Sequence, residues 1–405
     1  MIASLPTRPR KYFCGIDIAK NKHVACVIDR EGKLVIRSQS FTNDAEGFQC
    51  ILDRLKEVGG PTKVAIAMEA TGHYWYSLHD FLVRNCYDVA VLNPIQTAKQ
   101  VTKGIRKTQT DRIDAHHIAV LLKNGEQRPA LIPGELGMTC RQLTRLHHSM
   151  VRQASRIKQL IWSKLHPVWP EYEDLFATPF CKTGRTLLNK APTPQDVLAL
   201  PREELTELIR KTSRGRFGVI QADKVRQAAQ NSVGTHRGLT ASRTAIRLLL
   251  AQLDVLKPIR EQLEGEIETL AARLPDYLMT LPGASAASIV SLFGETDPIE
   301  AFASPSQLIA FAGLDLVVSQ SGDYQAARRH ISKRGSPFLR HTLWAMAHRA
   351  CYQEGDLRDY WLRRKGQGLS HLASVTAVAI KLCPVVWRIM TDRRNYLPQR
   401  PVTKP

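Results

Sequence analysis

Residues 12–41 read YFCGIDIAKNKHVACVIDREGKLVIRSQSF. Three apolar runs, 12–18, 23–29 and 33–41, are separated by short polar breaks, the second containing Glu31-Gly32. Short β-prone runs between turn residues predict a three-strand meander. Downstream, DAEGFQCILDRLKEV (44–58) has apolar residues at helical spacing, with Asp44 as N-cap, and GGPT ends it. KVAIAME (63–69) reads as a buried strand, HYWYSLHDFLVRN (73–85) as a helix and DVAVLN (88–93) as a strand. A basic, helix-prone segment follows, and then a helix opening at TDRIDAHHIAVLLKN (110–124). Over 11–130 the order is β-β-β-α-β-α-β-α, an α/β layering and the element order of the ribonuclease H-like fold.

Four carboxylates fall at telling places in that order. Asp17 lies in the first strand and Glu69 ends the fourth. Asp111 and Asp114 stand three apart where the last helix begins, so they share a helical face. In a ribonuclease H-like sheet the first and fourth strands are neighbours, which brings the acids to one point. Four clustered carboxylates repel one another and raise their own pKa values unless a cation joins them. Mg²⁺ (or Mn²⁺) takes such oxygen ligands, and two ions can clamp the attacking and leaving oxygens of a phosphodiester. From Val89 to Thr110 there is no acid, but Lys99, Lys103, Arg106 and Lys107 are present, suited to holding phosphates beside the metals. The plain alternative makes Asp111 an N-cap and Asp114 a first-turn acid favoured by the helix dipole. His116 and His117 read as exposed helical histidines.

Composition bounds the partners. The chain has 405 residues, enough for two or three domains, and 57 basic against 37 acidic residues, a net charge of +20. That excess suits a polyanion: DNA, RNA or an anionic membrane surface. No signal peptide is expected. The most apolar window, HLASVTAVAIKLCPVVWRIM (371–390), is interrupted by Lys381 and Pro384 and reads as a buried helix, so no membrane partner is expected. The eight cysteines form no CxxC pair, which argues against a structural zinc site and for reduced thiols in a cytoplasm.

Residues 137–275 carry two long helical patterns, CRQLTRLHHSMVRQASRIKQLIWSKL (140–165) and SRTAIRLLLAQLDVLKPIREQLEGEIETLAARL (242–274). They are expected to pair as an antiparallel hairpin or coiled-coil arm, with Leu248, Ala251, Leu253 and Leu256 as the apolar stripe of the second. Pro-containing short helices at about 170–240 form an insertion between them. A third, mostly helical unit spans 276–395. Within it, LPGASAASI resembles the hairpin of helix-hairpin-helix modules, Gly283 letting backbone N–H groups approach a phosphate; an ordinary turn between helices is the alternative. Three stretches lack acids: 137–170, 224–253 and 326–353, the last with Arg328, Arg329, Lys333 and Arg334. Such runs favour nucleic-acid contact.

The segments GIDIAK, MEATGHYW, LNP, TQTDRIDA, LPGAS, LIAFAGL, QSG and ISKRGSPFLR, in this order, resemble the DEDD transposases of insertion sequences. That family includes the Piv-type DNA invertases and the RNA-guided bridge recombinases. The resemblance covers the first 125 residues and about 276–390. It implies a RuvC-like nuclease domain joined through a coiled-coil region to a C-terminal transposase domain. It implies that Asp17, Glu69, Asp111 and Asp114 are the metal-binding acids and that Ser321 is the nucleophile. Family members often carry an acid before this serine; here the residue is Gln320.

A free serine hydroxyl needs activation to act as a nucleophile. A phosphoserine link conserves the phosphodiester bond energy, so DNA is cut and rejoined without ATP, whereas metal-activated water only cuts. Ser319 and Tyr324 are nearby alternatives. The expected activity is therefore site-specific recombination of donor and target DNA by a dimer or tetramer, with a structured guide RNA implied by the resemblance. Two readings compete: a metal-dependent nuclease of branched DNA without a covalent intermediate, and a non-catalytic nucleic-acid-binding protein.

Overall fold

In this computed structural model the described residues are 10–70, 72–92, 111–125, 130–316, 320–321, 324–325 and 330–398. Lys99, Lys103, Arg106, Lys107, Arg328 and Arg329 lie outside them, as do the side chains of Asp111 and Ser321. The chain divides into two compact units, 1–132 and 133–405.

The first unit contains β1 (Tyr12–Asp17), β2 (Lys22–Asp29), β3 (Leu34–Thr42), α1 (Ala45–Val58), β4 (Val64–Glu69), α2 (Trp75–Arg84), β5 (Asp88–Leu92) and α3 (Asp111–Lys123). The strand order is β3-β2-β1-β4-β5. β2 is antiparallel to β1 and β3, while β4 runs parallel to both β1 and β5. The meander and the mixed α/β order expected from the sequence are both present. Asp44 caps α1 as expected, its carboxylate accepting from the Gly47 amide at 2.8 Å.

The sheet is covered on both faces, and strand alternation assigns each residue to one of them. Cys14, Ile16, Ala25, Val27, Ile66, Met68, Val89 and Val91 pack with Ile51 and Leu55 of α1 and Leu78 and Leu82 of α2. The opposite face offers Ala65, Ala67 and Leu92 to Ile118, Leu121 and Leu122 of α3. Val24, Cys26 and Ile28 meet Ala115 and Ala119 of the same helix. Burying each large aliphatic side chain contributes about 1.5–3 kcal/mol, so both layers are held by many such terms.

The second unit is mostly helical. α4 (Glu135–Leu165) leads into α5 (Lys182–Lys190), α6 (Pro194–Ala199), α7 (Arg202–Thr212) and α8 (Val219–Gln230), and α9 (Leu239–Ala271) returns. α4 and α9 are antiparallel: His147 meets Glu264 at 3.1 Å, while Ile157 and Ile161 share a core with Ile246 and Leu250. The arm expected from the sequence is therefore present, but its stripe differs. Ile246, Leu250, Leu253, Leu263, Ile267 and Leu270 are the buried residues of α9, whereas Leu248 is 63% exposed. The inserted segment forms a small helical body in which Trp169, Tyr172, Leu187, Leu205, Ile209 and Val225 are buried against the arm's end.

The remainder comprises α10 (Ala286–Thr296), α11 (Pro305–Ala312), the short pair β6 (Gln320–Ser321) and β7 (Tyr324–Gln325), α12 (Pro337–Ala350), α13 (Asp356–Gly366) and α14 (His371–Asp392). α14 is long and apolar enough to cross a membrane by composition alone. In this fold Val375, Val378, Leu382, Val386 and Ile389 are buried, the packed helix that the sequence predicted. The arm and the C-terminal helices belong to one compact unit rather than two, because α4 also packs along α10.

Candidate active site

Asp17 and Glu69 are the last residues of two neighbouring parallel strands. The β1–β4 ladder pairs Tyr12 with Val64 and runs to Ile16 opposite Met68. The next residue on each strand is an acid, so both parallel strands end on a carboxylate residue at the same end of the sheet. By alternation Asp17 shares a face with Gly15, and Glu69 shares that face with Ala65 and Ala67. This is the face that α3 covers.

Gly15 determines how closely α3 can lie. A Cβ there would stand 2.1 Å from the Ala115 carbonyl oxygen and 2.4 Å from the Ala119 nitrogen. The helix backbone therefore rests on β1 two residues before Asp17. Asp114 directly precedes Ala115 and is half-buried, as are Asp17 and Glu69. Asp111 opens the same helix one turn earlier. Thus the backbone brings the elements carrying all four predicted acids to one end of one sheet face.

The donor set is made of carboxylates alone, the oxygen chemistry that Mg²⁺ and Mn²⁺ prefer. Among the described side chains, which exclude that of Asp111, no three His, Cys, Asp or Glu are grouped as a metal-binding cluster. Asp17, Glu69 and Asp114 are all described, so these three alone do not close into such a cluster; it is the all-carboxylate chemistry of the set that suits a divalent cation.

Sequence reasoning missed a buried histidine that holds the turn following Asp17. His23, fully buried, packs against Phe41 at 5.3 Å and Phe48 at 6.3 Å between ring centroids. Its Nδ1 accepts a hydrogen bond from the Ala19 amide at 3.3 Å. Burial pushes its pKa down, opposed in part by Asn43. A neutral ring accepting at Nδ1 carries its proton on Nε2. Asn43 adds a bond from its side chain to the Lys20 carbonyl at 3.1 Å, so the β1–β2 turn is fixed from two sides. The period-2 pattern of β2 hid this, since a buried histidine in a strand looks like a surface one.

His116 and His117 are half-buried rather than exposed. Their rings are 6.4 Å apart, and burial, His117 and Lys123 lower the pKa of His116. Beyond Glu69, Gly72 takes a left-handed φ of +56° and Trp75, buried and stacked on Tyr76 at 3.9 Å, anchors the start of α2. These residues give MEATGHYW its structural sense.

In the second unit, Ser321 lies in the β6–β7 pair opposite Tyr324, with Gly322 and Asp323 between them. The described residues on either side of that pair are bonded. Leu316 bridges Ile331, the Ser332 amide donates to the Asp315 carbonyl at 2.8 Å, and the Lys333 amide donates to that of Gly313 at 3.0 Å. Ser336 caps α12 and its hydroxyl donates to Glu295 at 3.0 Å. Glu295 is 1% exposed and takes two bonds from Arg145, at 2.7 and 3.0 Å. Lys333 and Arg334 are exposed.

Two sequence readings change. Gly283 is occupied within the protein: its amide donates to Gln353 Oε1 at 3.0 Å, and a Cβ would strike the Met346 carbonyl at 2.0 Å. The glycine serves close helix packing, and LPGAS is the ordinary turn, with Ser285 and Ser288 forming a capping box. The acid-free runs are also partly internal. Arg141 bonds the Gly294 carbonyl at 2.7 Å, Arg243 pairs with Asp196 at 2.9 Å and Arg349 bonds the Gly283 carbonyl at 2.7 Å. These cations brace the fold. Arg247 likewise caps the end of α5 through the Asn189 carbonyl at 3.1 Å.

Known proteins give this arrangement its class. A transposase family model matches residues 14–170, and the model of the transposase IS116/IS110/IS902 family matches 276–362. Over 411 residues the chain is 24% identical to the uncharacterized 44.8 kDa protein of insertion element IS116 from Streptomyces clavuligerus, covering 99% of this chain and 100% of that one. It is 23% identical to the protein assigned as transposase of the IS117 mini-circle of Streptomyces coelicolor, covering 96% of each. Over 155 residues it is 30% identical to the pilin gene-inverting protein of Moraxella lacunata, covering 37% of this chain and 46% of that one. The protein is a DNA transposase, an enzyme that recombines DNA. It belongs to the IS110-type insertion-sequence family, as its sequence resemblance implied.

Proposed function

We propose that the protein cuts and rejoins DNA at insertion-element ends through a phosphoserine intermediate, using a ribonuclease H-like metal site in the first unit and Ser321 in the second. The observation that carries the first half is the placement of Asp17 and Glu69 at the ends of adjacent parallel strands, under the helix that bears Asp111 and Asp114. The strand order 3-2-1-4-5 with β2 reversed supports the ribonuclease H-like reading. The four acids hold Mg²⁺ or Mn²⁺, which when bound supplies charge neutralisation at the scissile phosphate.

The chain's own residues divide the rest. Asp17, Glu69, Asp111 and Asp114 would fix the cation at the strand ends, and so the place where the reacting phosphate can sit. The Ser321 oxygen forms a bond to phosphorus as the bond to the departing deoxyribose oxygen breaks. The hydroxyl proton leaves to a base, and the departing oxygen gains one. Attack by another strand's hydroxyl reverses these changes and restores Ser321, so the number of phosphodiesters is conserved. Lys99, Lys103, Arg106, Lys107, Lys333 and Arg334 serve as phosphate contacts. A structured guide RNA selects the sites, and a dimer or tetramer brings enough protomers for exchange. The chain's likeness to a pilin gene-inverting protein supports recombination rather than simple cleavage.

The test is covalent trapping on end-labelled element DNA. Wild-type protein yields a protein–DNA adduct and Ser321→Ala yields none, while Tyr324→Phe keeps it. An adduct that persists in Ser321→Ala overturns the nucleophile. Cleavage without any adduct favours hydrolysis by water.

A further inference from the structure

We infer that the α13–α14 face around Tyr360 is a contact surface for the DNA backbone. Three cations gather on one ring. The guanidinium carbons of Arg363 and Arg364 lie 5.3 and 5.4 Å from the Tyr360 centroid, and Lys381 Nζ, from α14, lies 5.4 Å away. Beside them Lys365 Nζ sits 5.0 Å over Trp361. Arg363, Lys365 and Lys381 are exposed.

None of these four cations forms a salt bridge to a carboxylate among the described residues. The partners of Arg364 are neutral: the Tyr360 hydroxyl oxygen at 3.1 Å and Gln367 Oε1 at 3.0 Å. The two acids of α13, Asp356 and Asp359, occupy its first turn, where the helix dipole favours them. Several other cations of the unit are matched, and what sets this face apart is the gathering of three cations on one ring. Arg185, Lys190 and Arg202 each hold a carboxylate within 3.0 Å, and Arg388, further along α14 itself, pairs with Asp392 at 2.7 Å. Like charges gathered on one aromatic ring repel, and the ring's negative face offsets only part of that. An external anion completes the balance. For an enzyme acting on DNA, the polyanion of fitting chemistry is the phosphate backbone, with the tyrosine fixing the cations in place. The surface lies mostly past residue 362, where the C-terminal family match ends. The inference rests on DNA being the substrate and not on the serine mechanism.

The experiment is a salt titration of binding by the full-length chain to a 30-base-pair duplex of arbitrary sequence, read by fluorescence anisotropy. The logarithm of affinity falls with the logarithm of salt by about 0.9 per phosphate neutralised. The double variant Arg363→Gln, Lys381→Gln is therefore expected to flatten the slope by about 2. Arg388→Gln, a paired cation on the same helix, leaves it unchanged, and so does Ser321→Ala. Both test positions are exposed, so the thermal midpoint stays at the wild-type value. An unchanged slope in the double variant overturns the surface. So does a loss confined to an RNA hairpin of the same length with duplex binding intact.

Discussion

Gly15 of β1 and Ala115 of α3 meet backbone to backbone, with only 2.1 Å between the Ala115 oxygen and the place a Gly15 side chain would begin. Two rigid elements are thereby locked at the point where their acids follow. Gly15→Ala must push α3 off the sheet. Overpacking of this kind costs about 1–3 kcal/mol. We expect a lower urea midpoint, and a rate of DNA strand transfer reduced by roughly 100-fold, the scale of a 1 Å misplacement in a catalytic site. A variant with wild-type stability and activity would falsify the lock.

Asp17→Asn and Glu69→Gln preserve shape and remove charge. Each is expected to lower cleavage by at least about 100-fold, since even indirect perturbation of metal ligands costs 10- to 100-fold. Chelation of divalent ions should do the same and be reversed by Mg²⁺ or Mn²⁺. DNA binding, measured separately, should persist. Cleavage that survives chelation would remove the metal from the reaction.

The pair Arg145 and Glu295 predicts an asymmetry. Glu295 is 1% exposed, whereas the Arg145 side chain is 41% exposed. Removing the arginine strands a buried carboxylate, while removing the glutamate leaves an arginine that water can reach. Breaking a buried pair costs about 3–5 kcal/mol, and the exposed guanidinium discounts that to about 2–3 kcal/mol. Arg145→Ala should therefore destabilise more than Glu295→Ala in denaturant melts. The reverse order, or equality, would show the carboxylate to be neutral or otherwise bonded.

His23 predicts a pH dependence. Its pKa is lowered in the fold by burial, so the unfolded chain binds this proton more readily. Stability from keeping the ring neutral is complete above the unfolded value of about 6.5 and is lost as pH falls below it. His79 and His116 shift in the same direction in the same unit. Melts between pH 8 and pH 5 should show declining stability in acid. His23→Gln should flatten part of that decline, and an identical slope would exclude the histidine as its source.

The sheet was legible because alternation and turns are local. The Asp17–Glu69 pairing was legible once two strands were read as parallel neighbours. The docking of α3 was not, because a glycine in a strand does not announce which backbone it admits. The acid-free runs misled for a related reason. Arg145 lacks acids nearby in sequence, yet its partner Glu295 arrives from 150 residues away. Charge balance is settled in space, and a linear count sees only one side of it. The buried role of His23 stayed hidden because its aromatic neighbours, Phe41 and Phe48, come from the next strand and helix. Ser321 was found through resemblance, since a serine before a glycine carries no local mark of chemistry.

The helical body between α4 and α9 hangs from the end of an antiparallel arm, with entry and exit both at the tip. A segment attached in that way is a replaceable cassette. Its length and contents can change while α4 and α9 keep their register, provided the replacement still covers Ile157, Ile161, Ile246 and Leu250 of the arm. The family models match 14–170 and 276–362, leaving out most of the cassette and the returning helix. For an engineer, the arm's tip is the place to graft a new recognition module onto this transposase without disturbing the strand ends or the Ser321 hairpin.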